Sequence, residues 1–121
     1  KIGSYDGFIF VTSEYNHSYP ASLKNAIDYL YQEWNNKSLG LVGYGSLGGA
    51  RSIEHLRGIA AELQLADVRQ QLSFSLFTDF ENFSVFRPNE EVHLPALNTM
   101  LDQLVAWSAA LKRVRQEATG A

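Results

Sequence analysis

Two short apolar runs and a third segment of even apolar spacing alternate with segments of helical period, and this alternation limits the fold more than any other feature of the chain. Gly7–Thr12 (Gly-Phe-Ile-Phe-Val-Thr) is continuous, apolar and rich in β-branched and aromatic residues. Such a run suits a strand buried on both faces, as in a parallel sheet. Ser13–Pro20 is polar and turn-forming. Ser22–Tyr31 then has helical spacing, with Leu23, Ala26, Ile27, Leu30 and Tyr31 on one face. Ser38–Tyr44 repeats the apolar run, and Gly45–Gly49 is a glycine-rich turn. Arg51–Leu65 is amphipathic, with Ile53, Leu56, Ala60 and Leu63 facing inward. Asp67–Phe77 reads as a third strand, Thr78–Asn89 as a long loop, and the last helix falls within Val92–Glu117. Its stripe is Leu94, Leu97, Leu101, Leu104 and Leu111, widened by Met100, Trp107 and Val114. Pro95 is expected in its first turn, where a missing N–H removes no helical bond.

Strands separated by helices are parallel, with right-handed crossovers. Three units cannot close a barrel, so the expected fold is α/β with an open parallel sheet. Ligands of such sheets sit beyond the carboxyl ends of the strands. The loops Ser13–Pro20 and Gly45–Gly49 occupy that edge.

Charge and cysteine content narrow the function classes. Lys and Arg number 10 against 13 Asp and Glu, a net charge of −3. A groove that follows nucleic acid normally needs a basic excess, so no nucleic-acid partner is expected. No apolar run approaches the roughly 20 residues of a membrane span, and no membrane partner is expected either. There are no cysteines, which excludes disulfides, iron–sulfur clusters and thiolate metal sites. His17, His55 and His93 are far apart and form no His-x-x-x-His pair, so no metal site is expected. With no targeting segment in view, the expected location is the cytoplasm. The chain opens on Lys1 and reaches a strand within seven residues, which reads as a piece of a longer chain.

The first loop packs hydroxyl, carboxylate, phenol, amide and imidazole groups into Ser13-Glu14-Tyr15-Asn16-His17. It reads either as a solvated loop or as a platform for a flat polar ligand. In the second, Gly45-Ser46-Leu47-Gly48-Gly49, three glycines omit the β-carbons that would hold a ligand off the backbone. Because this turn opens a helix, its unpaired N–H groups are expected to point outward and favour electron-rich atoms. It has neither the Gly-Lys-Ser/Thr of a P-loop nor a G-x-G-x-x-G pattern.

Together the two loops are more specific. Thr12-Ser13-Glu14-Tyr15-Asn16-His17-Ser18-Tyr19-Pro20, then Leu23-Lys24-Asn25-Ala26-Ile27-Asp28, resembles the NADPH-dependent FMN reductase family. So does Gly48-Gly49-Ala50-Arg51 followed by Glu54-His55-Leu56-Arg57. Ser13 stands where the family usually has proline, and Ala21 where it often has glycine. The resemblance implies a flavodoxin-like three-layer sandwich, bound FMN, and NAD(P)H as cosubstrate. It implies reduction of a small-molecule electron acceptor such as a flavin, quinone, azo compound or metal oxyanion. NADPH stacks on the flavin and passes hydride to it, so no catalytic side chain is implied.

By position, Glu14, Tyr15 and Asn16 would line the isoalloxazine and ribityl side of FMN. Gly45, Ser46, Gly48 and Gly49 would approach its pyrimidine end. On this reading Gly48→Val weakens FMN binding more than thermal stability. Arg51 and Arg57 read as solvated helix positions, with Arg51 within reach of NADPH phosphates. Residues 1–121 correspond to the C-terminal portion of a single flavodoxin-like domain, the first two strands and the phosphate loop being missing from this chain. Homo-oligomers, dimers or tetramers, are expected of the family. Trp34 and Tyr31 suit such an interface or a core cap.

Three other readings compete: a truncated, non-catalytic flavodoxin-like domain, a one-electron carrier, and a serine hydrolase. The hydrolase would use Ser46 at a strand–helix elbow, with Asp79 and His93 following in chain order. Tyr44 crowds the position where such an elbow needs a small residue.

Overall fold

The computed structural model describes residues 1–119. A short 3-10 turn, Ile2–Ser4, leads into β1 (Gly7–Ser13), α1 (Ala21–Asp28), β2 (Lys37–Gly45), α2 (Ala50–Glu62) and β3 (Leu65–Ser75). A small antiparallel pair, β4 (Phe80–Glu81) and β5 (Val85–Phe86), precedes the long helix α3 (Glu90–Ala118). The main sheet has the order β1-β2-β3, and both pairings are parallel. β2 is central and almost wholly buried from Lys37 to Leu41, as its unbroken apolar run implied.

Alternation along the strands builds two cores, one on each face. Leu39 and Leu41 of β2 face α2, where they join Ile27, Ile53, Leu56 and Ala60, with Phe8 and Phe10 packed against them. Val68 and Leu72 of β3 meet Met100 of α3 on the other face, beside Val42, Phe74 and Leu97. Ile53 and Leu56 are at most 1% exposed, and each contributes about 2 kcal/mol of hydrophobic stabilisation. The result is a helix–sheet–helix sandwich whose strand carboxyl ends share one edge.

Element ends differ from expectation where side chains take backbone partners. The first helix stops at Asp28, not Tyr31. Trp34 Nε1 donates to the Ile27 carbonyl at 3.1 Å, and the Tyr29 and Leu30 N–H groups close back three residues instead of four. Trp34 is buried edge-to-face against Phe8 and Phe10, with ring centroids 5.0 and 5.6 Å away. It is therefore a core residue. α2 stops at Glu62 because Asn35 Nδ2 donates to the Leu63 carbonyl and the Asn36 N–H to the Gln64 carbonyl, both at 2.8 Å. β3 consequently starts at Leu65, two residues before the expected Asp67.

Arg57 is not a solvated position. Between Leu39 and Leu41 of β2 the partner in β3 jumps from Asp67 to Gln71, so β3 carries a bulge. Arg57 Nη1 donates to the Val68 carbonyl (2.9 Å) and Asp67 Oδ2 (2.8 Å), while Nη2 donates to the Arg69 carbonyl (3.1 Å) and Gln71 Oε1 (2.8 Å). It satisfies the carbonyls the bulge takes out of the ladder.

The expected loop Thr78–Asn89 contains the β4–β5 hairpin. Asn82 and Phe83 both have positive φ (52° and 60°), and the Ser84 N–H donates to the Glu81 carbonyl, as in a type I′ turn. That turn usually announces itself as Asn-Gly; phenylalanine in second place hides it. Pro95 is the sixth residue of α3, in its second turn. The helix thus lacks one N–H it would otherwise use.

Among the described residues β1 is an edge strand, bonded only to β2, with Ile9 43% and Val11 61% exposed. No helix among them is long and apolar enough to cross a membrane.

Candidate functional site

The two loops singled out by sequence meet at the carboxyl ends of β1 and β2, and Glu14 joins them. Its side chain is 7% exposed and points across to the first turn of α2. Oε1 accepts the N–H groups of Arg51 (3.0 Å) and Ser52 (3.4 Å), and Oε2 accepts Arg51 Nε (2.6 Å). Arg51 Nη2 completes the ion pair. A helix leaves its first N–H groups without internal partners. Here a carboxylate from the neighbouring loop takes two of them, so they are not free for a ligand. Arg51 is committed as well: besides Glu14 it holds the His17 ring, Nη1 lying 2.8 Å from Nε2.

Burial alone would raise the Glu14 carboxyl, but the hydrogen bonds from Arg51 and Ser52 outweigh it and hold it below its ordinary value of 4.5. A carboxyl depressed on folding contributes stability that is complete above its ordinary value and lost as pH falls through the folded one. Thermal melts should therefore lose stability as pH falls below about 4.5. Glu14→Gln should flatten that dependence and cost about 2 kcal/mol at neutral pH. An unchanged acid slope in the variant would show that Glu14 does not carry it.

Beyond Glu14 the chain reverses sharply. The Tyr15 N–H donates to the Ser18 carbonyl (2.8 Å) and the Ser18 N–H to that of Tyr15 (3.1 Å). Asn16 and His17 lie between at φ 48° and 72°. Two successive non-glycine residues in the left-handed region are costly. Arg51 and the Ser18–His55 hydrogen bond of 2.7 Å brace them. Tyr15 and Asn16 are exposed at this tip.

The glycine turn differs from its expected rationale. Gly48 and Gly49 are buried with φ 67° and 73°. A β-carbon on Gly48 would lie 2.7 Å from Ser73 Cβ, and one on Gly49 would lie 2.7 Å from the Tyr44 nitrogen. These glycines let the turn pack against β2 and β3; their missing side chains point inward. What the turn offers outward is Ser46 and Leu47. The N–H groups of Asn16, His17, Ser46 and Leu47 have no hydrogen-bond partner among the described residues. Four unspent donors on two adjoining loops suit the electron-rich edge of a flat heterocycle.

Sequence reasoning passed over Asp79 and His93 except as possible hydrolase members. They do pair: His93 Nε2 lies 2.9 Å from Asp79 Oδ1. Asp79 is 2% exposed and also accepts the Ser75 (2.9 Å) and Asn89 (3.1 Å) N–H groups. Burial raises this carboxyl, but those N–H groups and His93 hold it below its ordinary 3.8. His93, the fourth residue of α3, is thus half-buried at the start of that helix and held there by Asp79. No hydrogen bond joins Ser46 to it among the described residues, so no triad forms. Asp79 fastens the end of β3 to the start of α3. The Leu76 N–H donates to the Gly45 carbonyl (3.0 Å), linking that region to the glycine turn.

Order, parallel pairing and layering define a flavodoxin-like α/β fold. A solved flavoenzyme, the NAD(P)H:(acceptor) oxidoreductase FerB of Paracoccus denitrificans, superposes with a TM-score of 0.62 over 93% of this chain and 64% of its own, at 18% identity. The sequence profile of the NADPH-dependent FMN reductase family matches residues 1–79, and the chain belongs to that family. An NAD(P)H-dependent FMN reductase of Schizosaccharomyces pombe is 51% identical over 65 residues, 54% of this chain and 32% of its own length. A 2-hydroxy-1,4-benzoquinone reductase of a Burkholderia species is 30% identical over 114 residues, 88% of this chain and 62% of its own. The match covers only about a third of the length of the first of these relatives.

Proposed function

We propose that the protein containing these residues is an FMN-dependent NAD(P)H oxidoreductase that reduces a small-molecule acceptor such as a flavin, a quinone or an azo compound. The observation that carries this reading is the pair of family loops, tied by Glu14 at one sheet edge, with four backbone N–H donors unpaired among the described residues. The donor set fits the ring end of FMN, whose pyrimidine oxygens and nitrogens need N–H partners. In this reading Tyr15 and Asn16 flank the ring and its ribityl side. Glu14 holds their loop in place through Arg51 and Ser52. Gly45 and Ser46 present backbone to the pyrimidine edge, with Gly48 and Gly49 shaping the turn behind them. When bound, FMN supplies two-electron chemistry, taking hydride from NAD(P)H and passing electrons on. The chain's own part is to orient the ring and place N–H dipoles where the reduced ring gathers negative charge.

Nothing in these two loops holds an unspent cation for the FMN phosphate, since Arg51 is taken by Glu14 and His17. The phosphate partner therefore belongs to another segment. Residues 1–121 would be the C-terminal portion of one flavodoxin-like domain in a cytoplasmic homo-oligomer. The full-length protein should purify yellow or take up added FMN, and should oxidise NADPH when given a quinone. Colourless protein indifferent to FMN would overturn the reading. FMN uptake without NADPH oxidation would instead indicate an electron carrier.

A further inference from the structure

On the α3 side of the sheet lies a cavity of about 390 Å³, within the usual size range of small-molecule sites. Leu72 and Phe74 of β3, Phe86 of the hairpin and Leu97 of α3 form its apolar walls. None of the residues of the two family loops lines it. Most of the lining lies past residue 79, where the family match ends. Its polar groups are Glu90 at the start of α3 and the His93 imidazole.

The state of that imidazole follows from its partner. Asp79 is buried and accepts two backbone N–H groups, which keep it ionised and able only to accept. His93 Nε2 must then carry the hydrogen that it donates at 2.9 Å. In the neutral ring this leaves Nδ1 with a free lone pair and no partner among the described residues. Phe74 fixes the ring plane, its centroid 4.5 Å away. A carboxylate–imidazole pair of this kind makes the free nitrogen a better acceptor. The cavity therefore combines aromatic and aliphatic walls with one oriented acceptor. Glu90 disfavours an anionic guest.

We infer that this cavity binds a neutral hydroxylated aromatic of one or two rings, a phenol or naphthol, whose O–H donates to His93 Nδ1. This site is separate from the flavin-ring loops and does not depend on FMN being bound.

The test uses the full-length protein with 2-naphthol and its methyl ether as probes. 2-Naphthol should bind about tenfold more tightly than the ether, the difference one buried hydrogen bond supports. Nitrogen NMR should show the His93 Nδ1 resonance moving on 2-naphthol addition and not on ether addition. His93→Phe should bind both probes equally. Leu94→Trp, which fills the mouth of the cavity and leaves the Asp79–His93 pair intact, should bind neither. It keeps the question decidable if His93→Phe does not fold. Equal affinities in the unaltered protein, a stationary Nδ1 resonance, or naphthol binding undiminished by Leu94→Trp would overturn the assignment.

Discussion

Gly48→Val should cost about 3–5 kcal/mol of stability, a large share of the roughly 5–15 kcal/mol that keeps a domain folded. Two effects add. A β-branched residue at φ 67° is strained in the backbone alone. Its Cβ would also sit 2.7 Å from Ser73 Cβ and 3.4 Å from the Ser73 carbonyl carbon, near the carboxyl end of β3. Neither neighbour is the flexible end of a long side chain, so the turn or the strand must shift. Gly58→Ala is the internal control. It lies in the exposed middle of α2, with nothing within 4 Å of its added methyl. There the helix should gain about 0.5–1 kcal/mol. Chemical denaturation of both variants in the full-length protein checks the pair. A Gly48→Val protein as stable as the parent but weak for FMN would restore the ligand-approach role.

The contact with Ser73 gives Gly48 a packing role that the sequence did not show, and the reason is physical. A run of glycines says that β-carbons are excluded, but not which neighbour excludes them. At Gly48 and Gly49 the neighbour is the protein's own sheet. The same limit applies to Glu14. Its identity was legible as part of the loop motif, yet its partners, Arg51 and Ser52, lie 37 and 38 residues away. Sequence order could not show that a carboxylate would claim the helix N–H groups. By contrast, Ile53, Leu56 and Ala60 of α2 and Leu63 just past its end were readable as the inward face, and all four are buried. Helical period reports burial directly, since one stripe must meet the sheet. The parallel direction of the three strands was readable too, because a helix lies in each connection between them. The Phe83 turn and the Asp79–His93 pair were not. One uses a residue that turns usually avoid, and the other is a contact made only after β3, the hairpin and α3 have come together.

The largest consequence of the exposed surface concerns assembly. A polypeptide of residues 1–121 alone should not behave as a monomer. β1 presents one unpaired edge, and Gly7–Ser13 contains no lysine, proline or bulge to block a further strand. The empty Cβ direction of Gly7 points at Ser108 of α3, so Ile9 and Val11 lie on the α3 face of the sheet. α3 packs mainly over β2 and β3 through Met100 and Leu104 and leaves both residues open. Its own Leu101, Val105 and Trp107 are 36%, 68% and 45% exposed. An open edge beside bare apolar side chains is an arrangement that soluble monomers avoid. Light scattering should find dimers or larger species of this polypeptide at micromolar concentration. Val11→Lys should shift the population toward monomer, since a strand added at the edge would have to accommodate the charge. In the full-length protein the same substitution tests whether β1 is covered. If it is, Val11→Lys should lower stability by about 2 kcal/mol or more, as burying an unpaired ammonium requires. A monodisperse monomer of the 121-residue chain, melting cooperatively, would mean that β1 tolerates an open edge and that its exposed side chains do not drive association.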